Sequence, residues 1–435
     1  MTKKTAKRIA ACAMAGVMAA GCLGGAVTVN AKGKVTELNY WTWFPSTDQM
    51  AETIEAFEAE NPDIKINMTV MESTAYQEKV PLALSTEEDI DIIGVQPSEF
   101  ATGVQDYLVD LDELMPEAAG EDWLEGYSQS ALEKGKKLTD DKLKFITIWN
   151  SGSMVGFYNA KLLAELGKEV PATIEEYKEV ADALHEKYPD KMAGVFGGME
   201  SWICDEMMLT VLSQQSDYYN EWVYEDASLN SPEYIEALNG FKQFFDEGIF
   251  TQDVMDLDYA SATEAFVNGD ALVYFMGSWE APLLSEKLRE QNGVELEDVG
   301  VMPLPVVKKG GKAAVRAYLD CGMGIVATSE KQEAAAKSLE FCSVGDGVPL
   351  LAKQFAGVPN VADFEMDETM LGTEAEKEGW KLLVDLLQNA TADRKNESAF
   401  ASAVEGPCVQ AVINGTMTAE EAAEKMDAEW TSGNY

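Results

Sequence analysis

Hydrophobic and polar positions follow two periods along this chain. Residues 34–44 alternate, with Leu38 and Tyr40 on one side and Asn39 and Trp41 on the other, as in a half-buried strand. The period then changes to that of a helix. Met50, Ile54 and Phe57 share one face, and "PSTD" before them offers Ser46, Thr47 or Asp48 as the cap. "ENPD" stops this helix, "IKINMTV" is the next strand, residues 74–84 the next helix, and "DIIGV" (91–95) a short buried strand. The alternation continues with strands at "KFITIW" (144–149), "MAGVFGG" (192–198), "ALVYFMG" (271–277), "DVGVMPLPVV" and "YLDCGMGIVA", and with helices over 173–187, 232–247 and 260–268. "SWEAPLLSEKLREQNG" reads as a helix capped by Ser278. "EKQEAAAKSLEFCSV" aligns Ala335, Leu339 and Cys342, and "TAEEAAEKMDAEW" aligns Ala422, Met426 and Trp430; beyond residue 360 nearly everything reads as helix. Strands alternating with helices give an α/β protein with parallel pairing and crossover helices. The chain is too long for one sheet of usual size, so two lobes are expected.

The first residues break this pattern. "MTKKTAKR" is basic and "IAACAMAGVMAA" (9–20) is an apolar run. That run is too short to span a bilayer and right for a leader, so residues 1–21 are expected to be a signal peptide. Two exits fit. "AAGC" ends at Cys22 as a lipobox does, although Ala19 stands where Leu is commoner; "VNA" ends at Ala31 as ordinary cleavage sites do. The first is preferred, with Cys22 lipidated and the protein anchored to the outer face of the cell membrane. The second leaves a secreted or periplasmic soluble protein. Cys204, Cys321, Cys342 and Cys408 are far apart, with no CxxC pair, and are expected as buried free thiols.

Charge narrows the partners. The chain has 33 Lys and Arg against 76 Asp and Glu, a formal charge of −43. Such a surface repels nucleic acid and anionic membranes, so no nucleic acid is expected as a partner. The acids are spread along helices and read chiefly as a solvated surface.

Catalytic patterns are sparse. The one histidine, His185, sits on a helix, and no GxSxG elbow accompanies it. There is no GxxxxGK[ST] phosphate loop; "KKGGK" (308–312) reads as a turn. Zinc ligand sets fail for want of His and CxxC, and the acidic run 253–264 does not match the calcium-loop spacing. No metal and no cofactor is expected. A retaining glycosidase needs two carboxyls about 5–5.5 Å apart, which so acidic a chain permits without indicating.

The placement of aromatics is more informative. Trp41, Trp43 and Phe44 stand at the C-terminal end of a strand, Trp149 ends another, and Trp202 and Trp279 lie just past two more. Ligands of open α/β sheets bind outside the carboxyl ends of the strands. Flat apolar indoles suit the C–H faces of sugar rings, with polar groups beside them for the hydroxyls. Gln96, Ser98, Glu99, Asn150, Glu200, Asp205, Glu280 and Asp320 stand at the same strand ends. Trp222, Trp380 and Trp430 lie in helical segments and read as core.

"ALVYFMGSWE" after "TEAFVNGD" resembles the G-x-W segment of the carbohydrate-binding solute-binding proteins of bacterial ABC importers, the family-1, maltose-binding-protein-like group. "LNYWTWF…AETIEAFEAENPDIKI" is similar to the opening strand–helix–strand of that family, and "DIIGVQPSEF…YLVDLDELM" to its third strand and following helix. "GFYNAKLLAELGKEVPATIEEYKEVADAL", "VGVMPLP" and "INGTMTAEEAAEKM" continue the likeness in order and spacing over nearly the whole mature chain.

The resemblance implies a two-lobed periplasmic-binding-protein-like fold of type II, with lobes joined by hinge strands. Segment matching puts lobe one at 34–148 plus 304–358 and lobe two at 152–303 plus 360–435. It implies a monomer that binds a carbohydrate between the lobes and delivers it, by cleft closure, to an ABC transporter permease. The expected ligand-binding residues are Trp41, Trp43, Gln96, Ser98, Glu99, Trp149, Asn150, Trp202, Asp205, Trp279, Glu280 and Asp320. Two other readings stay open: an exported glycoside hydrolase using the same aromatics, and the same fold taking a peptide, polyamine or phosphate ester.

Overall fold

The computed structural model describes residues 35–433 apart from 217, 226, 355–356, 362–363, 365–367, 391 and 394–398. The expected signal segment and Cys22 lie outside the described residues. Strands β1 (Thr36–Thr42), β2 (Ile64–Val70), β3 (Ile92–Val95), β4 (Ile146–Ser153), β9 (Arg316–Ile325) and β10 (Val358–Pro359) form one sheet in the order β10-β4-β9-β3-β1-β2, with β11 (Ala392–Asp393) beside the start of β9. Strands β5 (Val155–Asn159), β6 (Met192–Val195), β7 (Ala271–Met276) and β8 (Val299–Pro303) form the second, in the order β6-β7-β5-β8. The fold is therefore two-lobed α/β.

β1 pairs in parallel with β2 and β3, and β6 with β7, as strand–helix alternation predicts. β9 runs antiparallel to both β3 and β4, and β5 antiparallel to β7 and β8. The exceptions have one cause. A strand arriving from the other lobe enters its sheet from the end where the local strands finish. β4 and β5 are nearly continuous, so the chain passes from one sheet to the other at Met154. Leu304 and Val315 pack into the second core, and the chain rejoins the first sheet at Arg316.

Alternation builds the cores. Leu38, Tyr40, Ile92, Ile146 and Ile148 fill one face of the first sheet; Ile93 and Val95, with Tyr76 and Phe100, fill the other. The second lobe has a single cluster that includes Phe157, Phe275, Trp380 and Met426. Helices begin where the sequence supplies caps. Ser46 with Gln49, Thr173 with Glu176, Thr373 with Glu376 and Thr418 with Glu421 each form a capping box. "PATIEE" is thus a helix start with a mechanism: Thr173 accepts from the Glu176 amide, and the Glu176 carboxylate accepts from the Thr173 amide. The helix expected after Ser278 differs. Ser278–Leu284 is a 3-10 segment, a short helix follows over Glu286–Gln291, and the Ser278 hydroxyl accepts from the Gly152 amide at 3.0 Å instead of capping. Cys204, Cys321, Cys342 and Cys408 are buried and unbridged. No helix among the described residues is long and apolar enough to cross a membrane.

Candidate ligand-binding cleft

Strand register gathers the sequence candidates at two sheet edges. In the first sheet Trp41 lies opposite Ile93, Val95 opposite Gly322, and Trp149 opposite Asp320. The ends of β1 and β3, the late part of β4 and the early part of β9 therefore share one edge, where the chain leaves for the second lobe. In the second sheet Val155 at the start of β5 lies opposite Met276 at the end of β7, with β6 parallel to β7. The segments after β6 and β7 thus open toward the same passage. The edges meet where Tyr318 of β9 lies edge-on to Trp279, with ring centroids 6.4 Å apart.

Trp202 and Trp279 form the aromatic floor on the second-lobe side. Their rings are 6.3 Å apart and tilted by 41°, and both are half-buried. Gly277 makes this possible, because a Cβ there would fall 2.1 Å from the Trp279 ring. The G-x-W spacing lets the indole fold back over its own strand end.

A polar network fixes both indoles. Trp202 donates from Nε1 to Glu200 Oε2 at 2.8 Å, and the other Glu200 oxygen accepts from the Tyr259 amide at 2.9 Å. Trp279 donates from Nε1 to the Tyr259 hydroxyl at 3.1 Å, and that hydroxyl donates to Glu280 Oε1. Burial raises the Glu280 carboxyl above its ordinary value, with the Tyr259 hydrogen bond opposing. The Tyr259 phenol is raised strongly, first by burial and then by the neighbouring Glu280 charge. Tyr259 and Tyr318 escaped the sequence reading. Tyr259 opens a helix inside the acidic run 253–264, where no spacing marks an aromatic hydroxyl. Tyr318 lies within a crossing strand, where nothing in the sequence marks the side it faces.

On the first-lobe side Trp41 and Trp43 share one face, half-buried against the cluster of Tyr76 and Phe100, with Trp43 5.4 Å from the Tyr76 ring. The Tyr76 hydroxyl donates to the carbonyls of Gly94 and Trp41 at 2.6 and 3.1 Å, tying the ends of β1 and β3 together. Phe44 turns to the opposite face. Gln96 and Ser98 are nearly buried: Gln96 accepts from Gln77 at 2.7 Å, and Ser98 caps the helix that Glu99 begins, with Glu99 exposed. Asn150 is half-buried in β4. Asp320 is 6% exposed, and its carboxylate accepts from the Cys321 amide at 2.8 Å.

Two candidates stand apart from the cleft surface. Trp149 is fully buried, edge-on to Phe44, and offers no ring face to a ligand. The strand expected to end at Trp149 runs on to Ser153, so this indole is mid-strand core. Asp205 is also fully buried, on the apolar Ser201–Ser213 helix. Its carboxyl lowers the neighbouring Glu405 carboxyl, which burial, the larger effect, pushes up to about 7. Beside them Glu206 accepts from Arg316 at 3.1 Å and from the Ser153 hydroxyl at 2.6 Å, and the Arg316 guanidinium lies 4.1 Å over the Tyr219 ring. This cluster joins β4 and β9 of the first sheet to the second lobe. Among the described residues no group of three or more His, Cys, Asp or Glu could hold a metal ion.

Solved structures share this architecture. The GacH receptor of Streptomyces glaucescens, solved unliganded and with acarbose, superposes with a TM-score of 0.71 at 16% identity, covering 92% of this chain and 99% of that one. Maltose-bound MalE3 of T. maritima gives 0.71 at 20% identity, covering 92% and 100%. An ABC substrate-binding protein of Listeria monocytogenes in complex with cycloalternan gives 0.72 at 18% identity, covering 92% and 99%. At these identities the likeness shows the fold. No curated protein matches the chain by sequence. The profile of the bacterial extracellular solute-binding proteins matches residues 44–343, well over half of the chain, and the protein belongs to that family.

Proposed function

We propose that this protein binds a glycan between its lobes and delivers it to the permease of an ABC importer. The observation that carries this is the Trp202–Trp279 pair. Two half-buried indoles lie side by side at the passage between the sheets, with both N–H groups engaged by the protein and Tyr318 approaching from the other sheet. Such ring faces suit the apolar faces of pyranose rings, with carboxylates beside them to accept hydroxyl protons. Proteins of the same fold hold acarbose, maltose and cycloalternan, which supports a sugar in the corresponding cleft here. We assign the lobes as residues 34–148 with 304–358 and 152–303 with 360–435, in keeping with sheet membership apart from 152–153 and 392–393, which pair with β9 of the first sheet, and 304–315, whose Leu304 and Val315 pack into the second core. Ligand contacts made by both lobes exist together only when they close, so binding shifts the population toward the closed form, the form a permease would recognise. On this reading the protein works as a monomer. A lipid on Cys22 would hold it at the outer face of the membrane; mass spectrometry of Cys22 in the native host tests that anchor.

A thermal-shift panel of mono- and oligosaccharides tests the assignment. A glycan at a hundred times its Kd stabilises the folded state by about 2.7 kcal/mol, enough to raise the midpoint by a few degrees. An unmoved midpoint across a broad panel removes the reading. One observation favours the competing hydrolase: the Glu280 carboxyl is raised, as a general acid requires. Incubation with the oligosaccharide giving the largest shift decides between them. Intact sugar at equilibrium supports binding alone, and released fragments support hydrolysis.

A further inference from the structure

We infer that Gln410 is a positioning residue for the indole platform: from the helix Gly406–Ile413 it holds the loop that presents Glu200 and Trp202. The inference rests on the glycan-binding reading and adds to it a residue 212 positions along the chain from the loop it holds. Trp202 stands in the first turn of the Ser201–Ser213 helix, and Glu200 is the N-cap residue of that helix. The Glu200 side chain does not cap. One of its oxygens accepts from the Trp202 indole and the other from the Tyr259 amide. The place of both side chains thus follows from the backbone of residues 197–201 that leads into the helix.

That backbone is tied on two sides. Its amides turn to one neighbour: Gly198 donates to the Val254 carbonyl at 3.2 Å and Met199 to the Leu257 carbonyl at 3.0 Å. Its carbonyls turn to another. Gln410 Nε2 donates to the Gly198 carbonyl at 2.9 Å and to the Met199 carbonyl at 3.1 Å, and the Cys204 thiol also donates to Gly198 at 3.3 Å. A primary amide suits this place, because its two N–H groups can serve two successive carbonyls. Gly406 lets the amide reach them. It lies one turn before Gln410 on the same helix face, and a Cβ there would fall 2.5 Å from the Ser201 carbonyl oxygen. Gln410 itself is half-buried, so its loss takes little from the core while it frees the loop. A binding surface whose supporting residues are loosened loses affinity even when every contacting side chain is kept.

The test combines calorimetry with hydrogen–deuterium exchange on the purified protein. Maltotriose, xylotriose and chitotriose are the probes, and the tightest of them is carried through the variants. We expect Gln410→Leu to weaken that probe about three- to tenfold, the order set by the net loss of one or two hydrogen bonds, with the unfolding midpoint near that of the parent protein. In a Trp202→Ala background the same substitution should weaken the probe by less than about twofold, because its effect passes through that indole. A merely structural role would act equally in both backgrounds. Affinity that is unchanged, or lowered by the same factor in both, overturns the inference and leaves the glycan-binding reading standing. Gln410→Glu at pH 8 keeps the length and turns an acceptor toward the two carbonyls; parent-like affinity in that variant refutes the donor role. Without ligand, Gln410→Leu should exchange faster at 197–202 and as the parent does at 91–95. Unaltered exchange at 197–202 overturns the inference, and this arm decides alone if none of the three probes binds. A blank thermal-shift panel removes the glycan reading and the positioning role with it.

Discussion

Trp279 is held by its neighbours on every side that matters: Gly277 gives its ring room, Tyr259 takes its N–H, and Trp202 and Tyr318 flank it. Truncation to alanine removes the stacking face and its burial. We expect Trp279→Ala to weaken glycan binding by about 1–2 kcal/mol or more, read by calorimetry; unchanged affinity would remove this residue from the site. Gly277→Ala places a methyl where the indole now lies. Because that indole is half-exposed it can swing outward, so affinity should fall about as far as in Trp279→Ala while the unfolding midpoint stays near wild type. The sequence makes Trp202 and Trp279 legible because each follows a strand by a few residues. It misleads at Trp149, where an apparent strand end is mid-strand, and at Asp205, whose partner Glu405 lies far along the chain.

The elements that join the lobes carry costly buried polar groups. Arg316 and Glu206 are a fully buried ion pair, and Ser153 and Tyr219 complete it. Removing one partner strands the other charge, so Arg316→Ala should destabilise by about 3–5 kcal/mol, read from denaturant unfolding. Glu405 ends a π-helical turn over Ala401–Glu405 and accepts from Tyr234. Its folded-state carboxyl is raised to about 7, chiefly by burial, so between the unfolded value of about 4.3 and that pKa the native state binds the extra proton. Stability from this group is therefore present at low pH and lost as pH rises through about 7. The thermal midpoint of the parent protein should therefore fall between pH 5 and pH 8, and Glu405→Gln should flatten that fall; a pH profile unaltered by the substitution would refute the assignment. Capping motifs made the helix starts readable, since Ser or Thr followed three residues on by Gln or Glu declares itself locally. Ser278 resembled such a start and was not one, because its hydroxyl serves the Gly152 amide across the crossing.

At the scale of the molecule, two sheets joined by crossing strands explain the architecture and where the proposed site falls. Alternation along the chain revealed the lobes' strands and helices. It could not reveal which strands run antiparallel, because that depends on the lobe a segment comes from. The net charge of −43 belongs to this scale too, where it discourages anionic partners over the whole surface. The central claim is that a glycan bridges the two facing edges and closes them. Hydrogen–deuterium exchange with and without the glycan giving the largest thermal shift tests it most directly. Protection is predicted together at 41–44 and 318–320 on the first-lobe edge and at 196–202 and 277–282 on the second. Protection confined to one edge, or lying elsewhere in the protein, would contradict it.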